Sequence, residues 1–254
     1  MIIAIDAGHY RSTPGKRCMK KLDPNETREW ILNDRMARHV EALLADYECT
    51  VLRCDDRTGE KDTELYERAA KANRAGAAAF ISIHHNAGVN GQSGGGICVF
   101  RAENASETTK KFQKAVYDET VSRTGLKGNR ATPLPVTNHT VTYNAKMPSI
   151  LGEFGFMDSS TDVPIILTEE FSKQCAAGIV AALVDIFKIK KKEIKKMDKF
   201  PDIKDSGYRD YINRAAELGL MQGFADGSFR PNEPVTRGML AAVAVRLKEG
   251  KGGK

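Results

Sequence analysis

Five short stretches of the chain are almost unbroken runs of apolar, often β-branched residues: MIIAI at 1–5, CTVLRC at 49–54, AAFISIH at 78–84, GICVF at 96–100 and MPSILGE at 147–153. Runs of that length without polar alternation predict strands covered on both faces. Between them the apolar period changes. In TREWILNDRMARHVEALLADY, Leu32, Met36, Val40, Leu43 and Tyr47 recur every three or four residues, which places them on one side of a helix. TELYERAAKANRAG, SETTKKFQKAVYDETVSRTG and TEEFSKQCAAGIVAALVDIF behave alike. Two of these close on a glycine, Gly76 and Gly125, suited to a helix C-cap. Strands alternating with helices predict an α/β domain, a mostly parallel sheet flanked by helices, across residues 1–188.

The pattern fails at KIKKKEIKKMDK, a basic run with no sustained apolar stripe. Residues 189–199 therefore read as a basic linker, with contact to an anionic polymer as the functional alternative. From Phe200 two short helical patterns flank the turn-rich GFADGSFRPNEP, predicting a small all-α C-terminal domain over 200–254. So small a unit has little core of its own and is expected to associate with something.

Hydrophobic residues make up 41% and charged residues 28%, which excludes a wholly disordered chain. The net charge of +6 favours an anionic partner, whether nucleic acid, a cell-wall polymer or a membrane surface, without choosing among them. Cysteines 18, 49, 54, 98 and 175 are odd in number and lack CxxC spacing, so they read as free thiols of a reducing compartment. Asp6 interrupts the first apolar run too early for a secretory leader, and no apolar stretch approaches the ~18 residues of a membrane span. The expectation is a protein made in the cytoplasm without a signal peptide, not inserted in a membrane, and released by some other route.

Ligands of parallel sheets bind beyond the carboxyl ends of the strands. His9 follows the first strand there, His84 and His85 end the third, and Glu153 ends PSIL. Glu26 and Glu29 stand at or before the start of the first helix, which begins at the same rim. Two histidines and a carboxylate with one position left for water make a catalytic zinc site; the alternative for any single histidine is a hydrogen-bonded structural role. Neighbours on a strand point to opposite faces, so only one of His84 and His85 can face such a metal.

IDAGHY, SIHHNA and PSILGEFGFMDS resemble the DxGHG, SIHxNA and ExGFxxN motifs of zinc-dependent N-acetylmuramoyl-L-alanine amidases of the amidase-3 type, and LYERAAKANRAG stands in the expected order before the histidine strand. The resemblance implies Zn2+ as cofactor, His9, Glu29 and His84 as its ligands with Glu26 as runner-up to Glu29, and Glu153 as the catalytic glutamate. His85 falls on a variable position. Gly152 stands where the family usually has valine, and the stretch ends in Asp158-Ser159 with no asparagine where the motif has one. The implied reaction is hydrolysis of the amide between N-acetylmuramic acid and L-alanine in peptidoglycan. A zinc peptidase cutting stem peptides and a non-catalytic wall-binding adaptor are the alternatives.

FPDI…YINRAAELGLMQGFADGSFRPNEPVTRGM resembles one surface-layer-homology repeat, with TRGM where TRAE is usual. This implies binding of an anionic secondary cell-wall polymer, with Arg237 and Asp202 as contacts, rather than of nucleic acid. A single copy of a repeat that usually comes in threes implies either weak binding or a homo-oligomer assembled through this domain. Together the features resemble a phage endolysin, released by a holin, or a host autolysin.

Overall fold

In the computed structural model, which describes residues 1–128, 133–192 and 198–249, the chain forms two compact units, Met1–Lys192 and Glu193–Lys254.

The first unit is built on a five-stranded sheet in the order β2-β1-β3-β5-β4: β1 (Ile2–Ala7), β2 (Thr50–Arg53), β3 (Ala79–Asn86), β4 (Ile97–Phe100) and β5 (Ser149–Phe156). Strands β2, β1, β3 and β5 run parallel, and β4 pairs antiparallel with β5 at the edge. The sheet is thus mostly parallel and layered by helices, as the apolar runs predict. The reversed edge strand has a simple cause. Residues 87–96 are too few to carry the chain back to the opposite end of the sheet through a parallel crossover.

The helices are α1 (Glu29–Leu44), α2 (Leu65–Arg74), α3 (Glu107–Thr124), the short α4 (Thr140–Tyr143) and α5 (Val163–Ile166), and α6 (Glu169–Phe187). Ser106 and Thr168 cap α3 and α6 by accepting from the amides of Thr109 and Phe171, and Gly125 closes α3 in the left-handed conformation. The sheet's alternation sorts its side chains into two layers. Ile3, Ile5, Ile81, Ile83, Ile97 and Phe154 join the larger core with Leu32 and Met36 of α1, Phe112 of α3 and Ile179 of α6. Ala4, Phe80, Cys98, Phe100 and Leu151 line the other face with Ala72 of α2 and Val141 of α4. Each fully buried aliphatic or aromatic side chain contributes about 1.5–3 kcal/mol of transfer free energy. Gly152 belongs to this packing, since a Cβ there would lie 2.5 Å from the Phe154 ring.

The beginning of the basic run is fastened to this unit. Ile189 is buried, the Glu48 amide donates to the Lys190 carbonyl, and the Lys192 amide donates to the Asp46 carbonyl. The middle of the run, 193–197, lies outside the described residues. All five cysteines are free, and among the described residues no helix is long and apolar enough to cross a membrane.

The second unit holds a 3-10 turn (Pro201–Ile203), α7 (Arg209–Glu217) and α8 (Arg237–Glu249). Ile203 and Ile212 are its buried aliphatic residues among those described. Its turn is organised by polar groups instead. The Asp202 carboxylate accepts from the amides of Phe229 and Arg230, and the Arg230 guanidinium lies 4.3 Å over the Phe224 ring and 2.7 Å from Asp226.

Candidate metal centre and catalytic rim

The site forms where β1 and β3 end and α1 begins. His9, Glu29 and His84 place one ligand atom each within 4.8 Å of one another, the one such cluster among the described residues. His9 Nε2 is 3.3 Å from Glu29 Oε2, and His84 Nδ1 is 3.2 Å from Glu29 Oε1. The two imidazoles meet edge to face, with centroids 5.0 Å apart.

Each side chain is brought there by a local device. His9 adopts a left-handed φ of 66°, uncommon for a residue with a Cβ, and its carbonyl is held by Arg68 at 3.0 Å. Gly8 has to be glycine, because a Cβ there would fall 2.1 Å from Cε1 of His84; the ring lies across the bare backbone. Glu29 is the first residue of α1 and wholly buried. Burial alone would raise its pKa, but the adjacent His84 and His9 outweigh burial and hold the carboxyl well below the usual range. Lys16 contributes a further positive charge 3.8 Å from Glu29 Oε2. Glu26, the alternative carboxylate, has turned away to pair with Arg17 at 3.2 Å.

Glu153 lies one strand over. It is the register partner of His84 across β3 and β5, and of Cys98 across β5 and β4. Matched positions on adjacent strands share a face, so Glu153 and His84 project from the same side of the sheet. His139, just ahead of α4, flanks this face with its ring edge-on to Phe100 at 5.1 Å. Burial and the charge of His84 lower its pKa.

His85 occupies the opposite face, as strand alternation requires, and is buried there. Burial pushes its pKa down to about 3, so it is neutral at ordinary pH. Its Nδ1 is 2.8 Å from Asn33 Oδ1, and the Asn33 amide donates to the Gly8 carbonyl at 3.1 Å and to Glu29 Oε1 at 3.4 Å. The His85 backbone amide donates to the same carboxylate oxygen at 3.2 Å. Asp158 secures the next loop, one oxygen accepting from the amides of Gly88, Val89 and Asn90.

The motif pattern points to His9, Glu29, His84 and Glu153; Gly8, Ser82 and Arg68 stand inside the matching stretches with no sign there of what they hold, and Asn33 and Lys16 stand outside them. A strand or helix period signals burial, and a buried polar residue stands out only when its partner elsewhere in the chain is known. The arrangement has the donor set of a divalent-metal centre. Glu29 Oε2 is buried yet accepts no hydrogen bond, with His9 Nε2 3.3 Å from it and His84 Nδ1 3.2 Å from the carboxylate's other oxygen. An acidic oxygen left so, between nitrogen bases, fits a cation of the borderline kind such as zinc.

In the second unit Arg237 is exposed at the first position of α8, while Asp202 has its oxygens on backbone amides inside the unit.

Comparison with known proteins identifies the family. Residues 3–185 match the family described as N-acetylmuramoyl-L-alanine amidase, and residues 199–238 match the S-layer homology domain. The chain is 28% identical over 216 residues to an endolysin of Bacillus phage SPP1, covering 81% of this chain and 73% of that one. It is 29% identical over 192 residues to a sporulation-specific N-acetylmuramoyl-L-alanine amidase of Bacillus subtilis, covering 74% and 69%. Among solved structures, an N-acetylmuramoyl-L-alanine amidase from Clostridium difficile 630 superposes with a TM-score of 0.66 at 26% identity, covering 74% of this chain and 96% of that one.

Proposed function

The chain belongs to the N-acetylmuramoyl-L-alanine amidase family, and from that premise we propose that it is a zinc hydrolase cleaving the amide between N-acetylmuramic acid and L-alanine through His9, Glu29, His84 and Glu153. The observation that carries the reading is the His9–Glu29–His84 cluster with Glu153 in register beside His84.

His9, Glu29 and His84 would hold the metal. When bound, zinc supplies Lewis-acid polarisation of the scissile carbonyl and a water of lowered pKa. The remaining chemistry falls to the chain. Glu153 takes a proton from the attacking water as its oxygen bonds to the carbonyl carbon. It then delivers that proton to the L-alanine nitrogen as the C–N bond breaks. His85 and Asn33 orient Glu29 from behind.

The S-layer homology domain at the C-terminus supports a role in holding the enzyme at the wall, with Arg237 as the contact to an anionic polymer because its planar fork can grip a carboxylate at two points. The motif gives Asp202 the same role; its place in the turn supports an indirect one, shaping the loop before Arg237. Division at 189–199 into a catalytic and a wall-binding part follows from the same reading. Exposed Leu240, Val245 and Leu247 on α8 support association of several chains through this unit.

Mass spectrometry of products from purified peptidoglycan tests the activity. New L-alanine amino termini without new reducing ends are expected; cuts inside the stem peptide would assign the site to a peptidase instead.

A further inference from the structure

Asp6 and Arg68 are wholly buried, and neither takes part in the chemistry above. They reach the centre through Ser82, which is also wholly buried. Arg68 donates to Asp6 Oδ1 at 2.8 Å. Ser82 Oγ lies 2.7 Å from Asp6 Oδ2 and 3.1 Å from His84 Nε2.

Counting protons along this chain fixes its direction. An ionised carboxylate only accepts, so the single Ser82 hydroxyl proton goes to Asp6. Ser82 Oγ then has only lone pairs to offer His84, and Nε2 must carry a hydrogen. A neutral imidazole has one N–H, which leaves the lone pair on Nδ1, the nitrogen 3.2 Å from Glu29 Oε1. We propose that Ser82, backed by Asp6 and Arg68, is a positioning residue that sets the tautomer of His84 and presents Nδ1 rather than Nε2 to the metal. The inference rests on the metal-centre reading above.

Two features of the site agree with it. With a cation bound, Nδ1 and Oε1, 3.2 Å apart, would both turn a lone pair to it, in place of the contact from His84 that helps hold the Glu29 carboxyl low in the metal-free chain. The bare Cα of Gly8 lets the ring lie in this orientation, its Nε2 near Ser82 and its Nδ1 near Glu29. The opposite tautomer would set the lone pair of Nε2 against Ser82 Oγ unless the hydroxyl left its charge-assisted bond to Asp6. Groups that orient a metal-binding histidine in this way commonly change affinity by about 10–100-fold when removed.

The test uses the full-length chain loaded with zinc, its histidine rings labelled with 15N. Two-bond 1H–15N spectra are expected to show His84 with hydrogen on Nε2 and Nδ1 bound to metal; the reverse assignment overturns the proposal. Zinc affinity, read by competition with a chromogenic chelator, is expected to fall about 10–100-fold in Ser82→Ala with unchanged circular dichroism. Ser82→Thr, which restores the hydroxyl, should recover most of it. Equal affinity in Ser82→Ala and the natural protein also overturns it. Neither readout depends on turnover, so an error in the assigned scissile bond would appear in product analysis and leave these results standing. A natural protein that takes up no zinc would sink the metal centre and this inference together.

Discussion

His84 and Glu153 occupy the same register position on the adjacent parallel strands β3 and β5 and project from one face of the sheet. Strand spacing of ~4.8 Å therefore separates the backbones of the proposed metal ligand and the proposed proton carrier, with no loop between them to relax. A rigid pairing of this kind predicts separable failures.

Glu153→Gln should keep zinc and lose turnover by at least ~100-fold, the usual scale for a general acid–base. Zinc content by elemental analysis, beside the initial rate on muramoyl-peptide, gives the answer; a variant that also arrived without metal would make Glu153 part of the metal's coordination.

His84→Ala should strip the metal, whereas His85→Ala should retain it with reduced affinity and cost about 1–3 kcal/mol of stability by leaving Asn33 Oδ1 without its imidazole. Denaturant titration of the metal-free proteins separates the two effects. If His85→Ala lost zinc outright and His84→Ala did not, the roles of the pair would be exchanged.

Gly8→Ala tests how the His84 ring is seated. A Cβ 2.1 Å from Cε1 must push the ring off its place or deform the backbone. Zinc affinity should drop while the far-ultraviolet spectrum stays native. Undiminished affinity would show that the ring has another way to reach the metal.

Acidification should weaken the metal-free fold through His85. The buried ring stays neutral until about pH 3, whereas in the unfolded chain it protonates from its ordinary value of 6.5 downward. Between those values the unfolded state binds the extra proton, so stability falls as pH falls and recovers as pH rises toward 6.5. Glu29, held below the usual carboxylate range, acts in the same sense below about 4.5. Tm measured from pH 7 to 4 should fall less steeply in His85→Gln; parallel curves would remove His85 as the cause.

Truncation after Lys192 should leave a folded amidase that binds whole walls weakly, since the proposed catalytic groups all lie in Met1–Lys192. Truncation after Phe187 should be less stable, because it removes buried Ile189 and the bonds from 190 and 192 to the 46–48 segment. Pull-down on intact walls and on walls stripped of secondary polymer checks the first expectation, and thermal melts the second. Equal binding of stripped and intact walls by the full chain would end the polymer reading.

The strands and long helices were legible because a covered strand and an amphipathic helix each leave a period in the sequence, and the glycine at 125 marks where α3 stops. The direction of β4 was not, for ICVF reads equally well either way and only the shortness of 87–96 decides it. At the rim, His9, His84 and Glu153 could be placed from the strand ends, and Glu29 from its motif. What the sequence does not display is partnership across distance: Ser82 with Asp6, His85 with Asn33, and Arg68 with the His9 turn. The start of the basic run likewise carries no period, and its docking against residues 46–48 is set by backbone bonds that side-chain pattern does not encode.

Arg68 directs its five N–H groups at the side chains of Asp6 and Asp62 and the carbonyls of Thr63, Ala7 and His9. A guanidinium has no donor beyond these, so the joint between α2 and the end of β1 has no slack bond to exchange. The turn that carries His9 therefore rests on a fixed abutment, and loss of Arg68 should displace that turn before it loosens the sheet.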